Sequence, residues 1–292
     1  MTADSSDFSL LKQVPAVLRA RGFRLYTKSG RLIDLWQNGG AAVLGHTPVN
    51  MLRELKNAAN RGLYAPFPHF YENRYLNALS KIFKGRSFRL YAAPPQELVD
   101  IFSEKRSHSG TAAQKHKKDL NIWRPFLKPD DPFSVDSETS LLIPVLPGIH
   151  TWRNGLPVGL CIIAAKSENL LERLPPDDIL SPVLLATAAR GVYDLLAAPE
   201  RAKPVLPHVN KVLQSSSFSG KGWRREGIYL FMEKKPESGE WAALFKKFLD
   251  AGFLLPPTPL QPVILPGELS AGESARLAAL LSTLLADTQA FN

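Results

Sequence analysis

Apolar and polar positions follow two spacings along this chain, and these predict alternating strands and helices. The two-residue spacing of a strand occurs on both sides of the turn Lys28–Gly30, which predicts a hairpin built from Phe23–Thr27 and Arg31–Leu35. Helices are predicted over Val49–Arg61, Glu72–Phe83, Asp178–Leu196, Pro204–Gln214, Glu240–Ala251 and Glu273–Ala286, and the wider spacing of an amphipathic helix is present in Glu72–Phe83 and Glu273–Ala286.

Short apolar runs between these helices predict further strands. They are Ser87–Tyr91, Ser140–Leu146, Leu160–Ala165 and Gly227–Met232. A short helix is predicted over Val14–Arg21, and another begins at Gln96. Thr47 before Pro48 is typical of a helix cap, Ser270 with Glu273 forms a capping box, and Gly45 permits a close backbone approach. The succession predicts an α/β fold.

The loop His150–Gly159 leads directly into the apolar run that starts at Leu160. Gly155 and Gly159 can adopt backbone angles that other residues avoid, while Pro157 restricts the chain. A stiff loop next to a buried strand is a suitable place for chemistry, so this loop is the first candidate site.

Composition is that of an ordinary globular protein of one large or two modest domains. The chain has 292 residues, of which 45% are hydrophobic and 22% charged. No apolar run approaches the ~20 residues of a membrane helix, and the first residues lack the pattern of a secretory signal. We therefore expect a cytoplasmic protein without membrane contact, in which the single cysteine, Cys161, is a buried thiol.

The net charge of +9 would allow binding to nucleic acid. Its densest basic cluster lies between Lys105 and Lys118, has no interleaved aromatic residues and matches no nucleic-acid motif. We expect this cluster to be a solvated loop rather than a nucleic-acid surface. The six histidines show no metal-ligand spacing, and neither a nucleophile elbow nor a nucleotide-binding loop is present, so no metal site is expected.

Three stretches resemble class III aminotransferases, especially the glutamate-1-semialdehyde aminomutase type. Asn154–Gly159, the strand after it and Lys166–Leu174 are similar to the segment that follows the lysine of that family. The hairpin with Leu44–Pro48 is similar to the family's opening, and Asp178–Leu196 to its next helix. The resemblance implies a truncated PLP-dependent transferase of fold type I, with a reduced large domain over residues 46–198. Residues 1–45 and 199–292 would form the small α/β sandwich domain.

The same resemblance exposes three departures from the family. The spacing places the Schiff-base lysine at position 150, which is His150 here. The phosphate loop corresponds to Ala92, Ala93, Pro94 and Pro95, which lack the hydroxyls and two of the backbone donors. Between Phe102 and His150 there are under fifty residues, and no aspartate is placed to pair with a pyridine nitrogen.

These departures predict an aminotransferase-like chain that binds no PLP and is retained as a non-catalytic binding or interaction protein. No cofactor or catalytic residue is then expected, and the resemblance implies a homodimer or a heterodimer with an active relative. The alternative is a residual enzyme that uses His150 as acid or base on an amino acid or keto acid. Its candidate pocket comprises His150, Trp152, Arg153 and Asn154.

Overall fold

A computed structural model describes residues 9–107, 120–153, 155–214, 223–233, 236 and 238–287. The strands are β1 Val17–Arg21, β2 Arg24–Thr27, β3 Gly30–Asp34, β4 Ser87–Tyr91, β5 Leu120–Trp123, β6 Leu141–Pro144, β7 Thr151–Arg153, β8 Leu156–Val158, β9 Cys161–Ala165, β10 Trp223–Glu226, β11 Tyr229–Met232, β12 Phe253–Leu254 and β13 Val263–Ile264. The helices are α1 Val49–Asn60, α2 Tyr71–Ile82, α3 Gln96–Ser107, α4 Glu168–Leu171, α5 Pro182–Leu196, α6 Pro207–Leu213, α7 Ser238–Asp250 and α8 Ala271–Asp287. Short 3₁₀ helices cover Ser9–Gln13, Gln37–Gly40 and Pro199–Ala202.

The chain divides into two compact units. Unit 1 comprises Met1–Thr47, Phe126–Pro132 and Pro199–Asn292, and unit 2 comprises Pro48–Pro125 and Phe133–Ala198. Most of the basic cluster between Lys105 and Lys118 lies outside the described residues.

Unit 2 is built on a four-stranded sheet in the order β4-β9-β6-β5. β9 runs antiparallel to both β4 and β6, whereas β5 and β6 are parallel. Every residue of β9 is buried, which explains its continuous apolar sequence. The strands predicted at Ser87–Tyr91, Ser140–Leu146 and Leu160–Ala165 are confirmed.

Helix α5 packs against α1 and α2 within unit 2. The contact is closest at Gly191, where a Cβ atom would lie 2.5 Å from the carbonyl oxygen of Pro147 and 3.2 Å from Cε of Met51. Only glycine fits there, and this fixes the helix against the segment that leads to His150. The predicted α5 begins later than expected, at Pro182 rather than Asp178.

Unit 1 contains a sheet in the order β1-β2-β3-β12 and a second sheet in the order β10-β11-β13. The predicted hairpin is confirmed as β2 and β3. The predicted helix over Val14–Arg21 is wrong, because Val17–Arg21 pairs antiparallel with β2 as an exposed edge strand.

Glycine and helix caps account for other local features. The close approach predicted at Gly45 is confirmed, because a Cβ atom there would lie 3.1 Å from Cα of Gly22. The capping box is also confirmed: Ser270 N–H donates to Glu273 Oε2 at 2.8 Å, and Glu273 N–H donates to Ser270 Oγ at 3.3 Å. Thr47 is not the cap of α1, since Pro48 holds that position without a side-chain hydrogen bond.

Candidate functional site

One edge of the unit 2 sheet gathers the candidate residues. β4, β6 and β5 point the same way, so their carboxyl ends meet at one edge together with the amino end of β9. The register places Tyr91 opposite Cys161 and Trp123 opposite Pro144 at this edge. The carboxyl edge of the parallel strands is where α/β sheets commonly bind their ligands.

The turn after β4 and the loop before β9 are joined directly at this edge. Gly159 N–H donates to the carbonyl oxygen of Ala92 at 2.6 Å. Helix α3 then starts directly after the prolines, because Leu98 N–H and Val99 N–H both donate to the carbonyl of Pro95, at 3.1 and 3.2 Å. The segment that the resemblance matches to a phosphate loop therefore adjoins the segment matched to a lysine loop.

Two aspartates bind the backbone at the end of β4. Leu90 N–H donates to Asp177 Oδ1 at 2.6 Å, and Ala92 N–H donates to Asp178 Oδ2 at 2.8 Å. Asp178 N–H returns a bond of 3.0 Å to the carbonyl of Leu90. Arg89 Nη1 lies 2.9 Å from Asp177 Oδ2, and the hydrogen bond raises the pKa of Arg89. We call this pair of aspartates the acidic clamp.

The acidic clamp is absent from the site residues that the sequence predicts. The helical spacing assigns Asp178 to the start of a helix, whereas α5 begins only at Pro182. The sequence does contain a signal for this pair, because two adjacent carboxylates follow Pro175 and Pro176. The prolines hold the two carboxylates in an extended segment beside a strand edge.

His150 is buried, with 8% of its surface exposed. Its ring meets Trp152 edge to face, with ring centroids 5.8 Å apart. Gly159, at φ +96°, backs onto it, since a Cβ atom there would lie 3.6 Å from Cα of His150. Burial lowers the pKa of His150 to about 4, so the imidazole is neutral at pH 7 and is a weak base.

The other members of the predicted pocket separate. Residues 150–158 form more than a turn, because β7 and β8 pair as a small hairpin with Trp152 opposite Pro157. Trp152 faces inward, whereas its neighbours Thr151 and Arg153 are exposed on the opposite face. Asn154 lies outside the described residues. The structure thus brings His150 and Trp152 together but places Arg153 away from them.

A buried thiol and a buried phenol lie at the same end of the sheet. Cys161 has no exposed surface, and burial raises its pKa to about 12, so it is a protonated thiol. Tyr75 of α2 is fully buried, and both burial and the nearby Cys161 raise its pKa. The sequence predicts Tyr75 only as a core residue, because helical spacing cannot separate a core tyrosine from one near a site.

We expect His150 to make unit 2 sensitive to mild acid. Its pKa is about 4 in the folded chain and 6.5 when the imidazole is fully solvated, so the unfolded state binds the proton first as the pH falls. The stability is complete above pH 6.5 and falls between pH 6.5 and pH 4, by about 3 kcal/mol in total. Urea unfolding across this pH range measures the loss.

The matched controls are His150→Gln and His208→Gln, the second at an exposed position. The first should flatten the dependence between pH 6.5 and pH 4 that comes from His150, and the second should preserve it. Equal slopes for the wild type and His150→Gln would show that the histidine takes up its proton without unfolding.

Two further observations concern metal ligands and membrane spans among the described residues. No three His, Cys, Asp or Glu side chains are grouped there as ligands of a metal ion. No helix in those ranges combines the length and hydropathy needed to cross a bilayer.

Known proteins similar to this chain in sequence differ from those similar to it in fold. No protein-family model matches the chain. An uncharacterized protein of Treponema pallidum is 27% identical over 301 residues, covering 88% of this chain and 91% of the relative. An uncharacterized protein of Borreliella burgdorferi is 37% identical over 79 residues, covering 27% of this chain and 29% of the relative.

Solved structures give the architecture. Ornithine δ-aminotransferase of Plasmodium falciparum superposes with a TM-score of 0.62 at 10% identity, covering 94% of this chain and 93% of that one. Acetylornithine aminotransferase of Elizabethkingia anophelis gives 0.56 at 11% identity and 94% of each chain. The chain has the aminotransferase fold.

An omega-transaminase of Sphaerobacter thermophilus gives a TM-score of 0.59 at 11% identity, covering 94% of this chain and 91% of that one. Aminotransferases with different names are therefore about equally similar to this chain, and the likeness assigns only the architecture. The predicted α/β class and truncated fold type I architecture are confirmed. Within the aminotransferase fold, the edge described above is where position 150 and the turn after β4 come together.

Proposed function

We propose that this chain uses the aminotransferase fold without pyridoxal phosphate, as a non-catalytic binding or interaction protein. The acidic clamp carries the proposal. Leu90 N–H and Ala92 N–H, at the strand end that leads into the phosphate-loop position, are already bonded to Asp177 and Asp178. The chain supplies its own anions there, and their charge opposes the approach of a phosphate.

Position 150 supports the same proposal. Pyridoxal phosphate is held in aminotransferases as an imine of a primary amine, which an imidazole cannot form stably. His150 is packed against Trp152 and backed by Gly159, with 8% exposure. The nearest lysine in the following sequence, Lys166, lies beyond the opposite end of β9.

The prolines of the turn complete the mismatch. Pro94 and Pro95 have no backbone N–H, so neither can donate to a phosphate oxygen. The residues at this edge therefore suit neither the aldehyde nor the phosphate of the cofactor.

We predict that pyridoxal phosphate and borohydride leave no reduced adduct on the peptide that contains His150. The test is absorbance of the incubated protein, followed by peptide mass spectrometry. A labelled peptide at this position, or a coloured purified protein, would contradict the proposal.

One variant tests the lost lysine separately from the altered phosphate position. His150→Lys restores the amine but keeps the acidic clamp and the prolines, so we expect it to remain colourless with pyridoxal phosphate at micromolar concentrations. Saturable colour in this variant would show that the phosphate position is intact and that only the lysine has been lost.

The alternative, a residual enzyme based on His150, has one observation in its favour, a neutral imidazole at pH 7. A base with a pKa near 4 and 8% exposure is poorly matched to proton transfer at neutral pH. A thermal-shift screen with amino and keto acids tests it: stabilisation that disappears in His150→Gln would favour the enzyme. As an interaction protein, the chain would pair with a second copy or with an active relative, and it would not bind nucleic acid.

A further inference from the structure

The edge strand β1 of unit 1 has solvent on both of its faces. It stands at the end of the sheet order β1-β2-β3-β12, so within the described residues only one of its sides is paired with another strand. Of the strands that the structure describes, β1 alone contains no buried residue. Val17 and Leu18 are 45% and 65% exposed. An exposed edge of this kind offers unpaired backbone groups to one more strand.

Two arginines of β1 lie on the same face of the sheet. The register sets Arg19 opposite Tyr26 and Arg21 opposite Arg24, whereas Ala20, opposite Leu25, takes the other face. Both arginines are exposed. A strand that paired with the outer side of β1 would therefore meet a guanidinium group at every second position.

The two arginines of β1 differ from the next arginine on the same face. Arg24 is neutralised by Glu273 at 2.8 Å and by Glu268 at 2.9 Å. Within the part of the chain that the structure describes, neither Arg19 nor Arg21 pairs with a carboxylate. The edge therefore presents two positive charges that are not compensated.

The geometry of Arg19 prepares it for an anionic partner. Its guanidinium carbon lies 4.5 Å from the ring centroid of Tyr26, so the cation rests on an aromatic face at the sheet. A side chain that is positioned before binding loses less conformational entropy when it binds. Arg21 faces Arg24 directly, and a carboxylate beside it would reduce the repulsion between these like charges.

Backbone and charge together define the partner. Only a polypeptide can supply the N–H and C=O groups that continue a sheet, which a nucleic acid lacks. A second copy of β1 would set arginine against arginine, and this contact is repulsive. The surface fits an extended segment with acidic residues at alternate positions.

We propose that β1 binds an extended acidic peptide segment as one further strand, with carboxylates at alternate positions facing Arg19 and Arg21. The inference rests on the proposed role as an interaction protein and adds a class of partner to it. Main-chain hydrogen bonds would supply affinity, and the two arginines would supply the preference for acidic sequences.

Fluorescence anisotropy with the full chain tests the proposal. The probe is a short fluorescein-labelled peptide in which Glu and Val alternate, and we expect saturable binding. The same peptide with Lys in place of Glu should not bind. Arg19→Glu combined with Arg21→Glu should weaken binding of the Glu peptide on the order of 100-fold and should create binding of the Lys peptide.

The matched control is Arg53→Glu combined with Lys56→Glu. It changes the net charge equally at two exposed positions of α1, in unit 2, and should leave binding of the Glu peptide close to that of the wild type. Circular dichroism and thermal unfolding establish that both double variants fold.

Backbone methylation of the peptide tests strand addition apart from charge. A strand turns the N–H groups of alternate residues towards its neighbour, so N-methylation of one alternate set should abolish binding and of the other set should have little effect. Equal effects of the two sets would contradict an added strand.

Three further outcomes would overturn the inference. They are a Glu peptide that does not bind at high micromolar protein, equal weakening in the two double variants, and tighter binding of a single-stranded oligonucleotide through Arg19 and Arg21. Absorbance with pyridoxal phosphate in the same samples tests the proposed function independently, so the two failures are distinguishable.

Discussion

Replacing Gly191 by alanine is expected to destabilise unit 2 by about 3 kcal/mol, the upper range for an overpacked core. The new methyl group would lie 2.5 Å from the carbonyl oxygen of Pro147 and 3.0 Å from its Cβ atom. Neither is the end of a flexible side chain, so α5 or the segment before His150 must move. Chemical denaturation with hydrogen exchange of unit 2 peptides measures the effect.

Gly272→Ala is the matched control, because it changes another helical glycine whose added Cβ atom would meet nothing within 4 Å. Helix propensity alone should make this variant more stable, by up to about 1 kcal/mol. A Gly191→Ala variant that is also more stable than the wild type would show that α5 and the Pro147 segment can move apart at little cost in free energy.

Replacing Glu273 by glutamine is expected to cost unit 1 about 3 kcal/mol, the lower range for a broken buried ion pair. Glu273 is 2% exposed and accepts from Arg24 Nη2 at 2.8 Å, from Arg31 Nη2 at 2.9 Å and from Ser270 N–H at 2.8 Å. Burial by itself raises the pKa of Glu273, but the hydrogen bonds from Arg24 and Ser270 with the two arginine charges lower it to about 2.

The pH dependence of this contribution follows from the lowered pKa. The stabilisation is complete above pH 4.5 and is lost as the pH falls from 4.5 towards 2, because the unfolded carboxylate is protonated first. Urea unfolding of the wild type and of Glu273→Gln should therefore converge at acid pH.

Glu268→Gln is the control for the same arginine. Glu268 Oε1 lies 2.9 Å from Arg24 Nη1, but its side chain is 69% exposed, so we expect a loss below about 1 kcal/mol. Equal losses in the two variants would mean that burial of Glu273 adds nothing to its ion pair.

Local patterns predict those elements whose own residues determine them. The hairpin β2–β3 and the strand β9 carry clear alternation or continuous apolar character, and the capping box sets the start of α8. The helix predicted at the edge strand β1 is wrong, since this strand is exposed along nearly its whole length and owes its conformation to pairing with β2. Thr47 has φ +55°, which removes it from the capping geometry its sequence suggested.

The candidate site shows the same division. His150 and Ala92 could be located by resemblance, and Trp152 by its place in the loop His150–Gly159, because each lies within a contiguous stretch of sequence. The acidic clamp could not, since Asp177 and Asp178 meet Leu90 only through folding over more than eighty residues. The separation of Arg153 from Trp152 also required the structure, because only the β7–β8 hairpin reveals which residues face inward.

The position of Cys161 has a practical consequence for a protein made of two compact units. Two-state unfolding is expected of small single domains, whereas compact units of one chain can open separately. The only cysteine of the sequence lies in β9, an inner strand of the unit 2 sheet, where it has no exposed surface. An alkylating reagent can reach this sulfur only after the sheet opens. The rate at which Cys161 is labelled therefore measures the opening of unit 2 without an engineered probe.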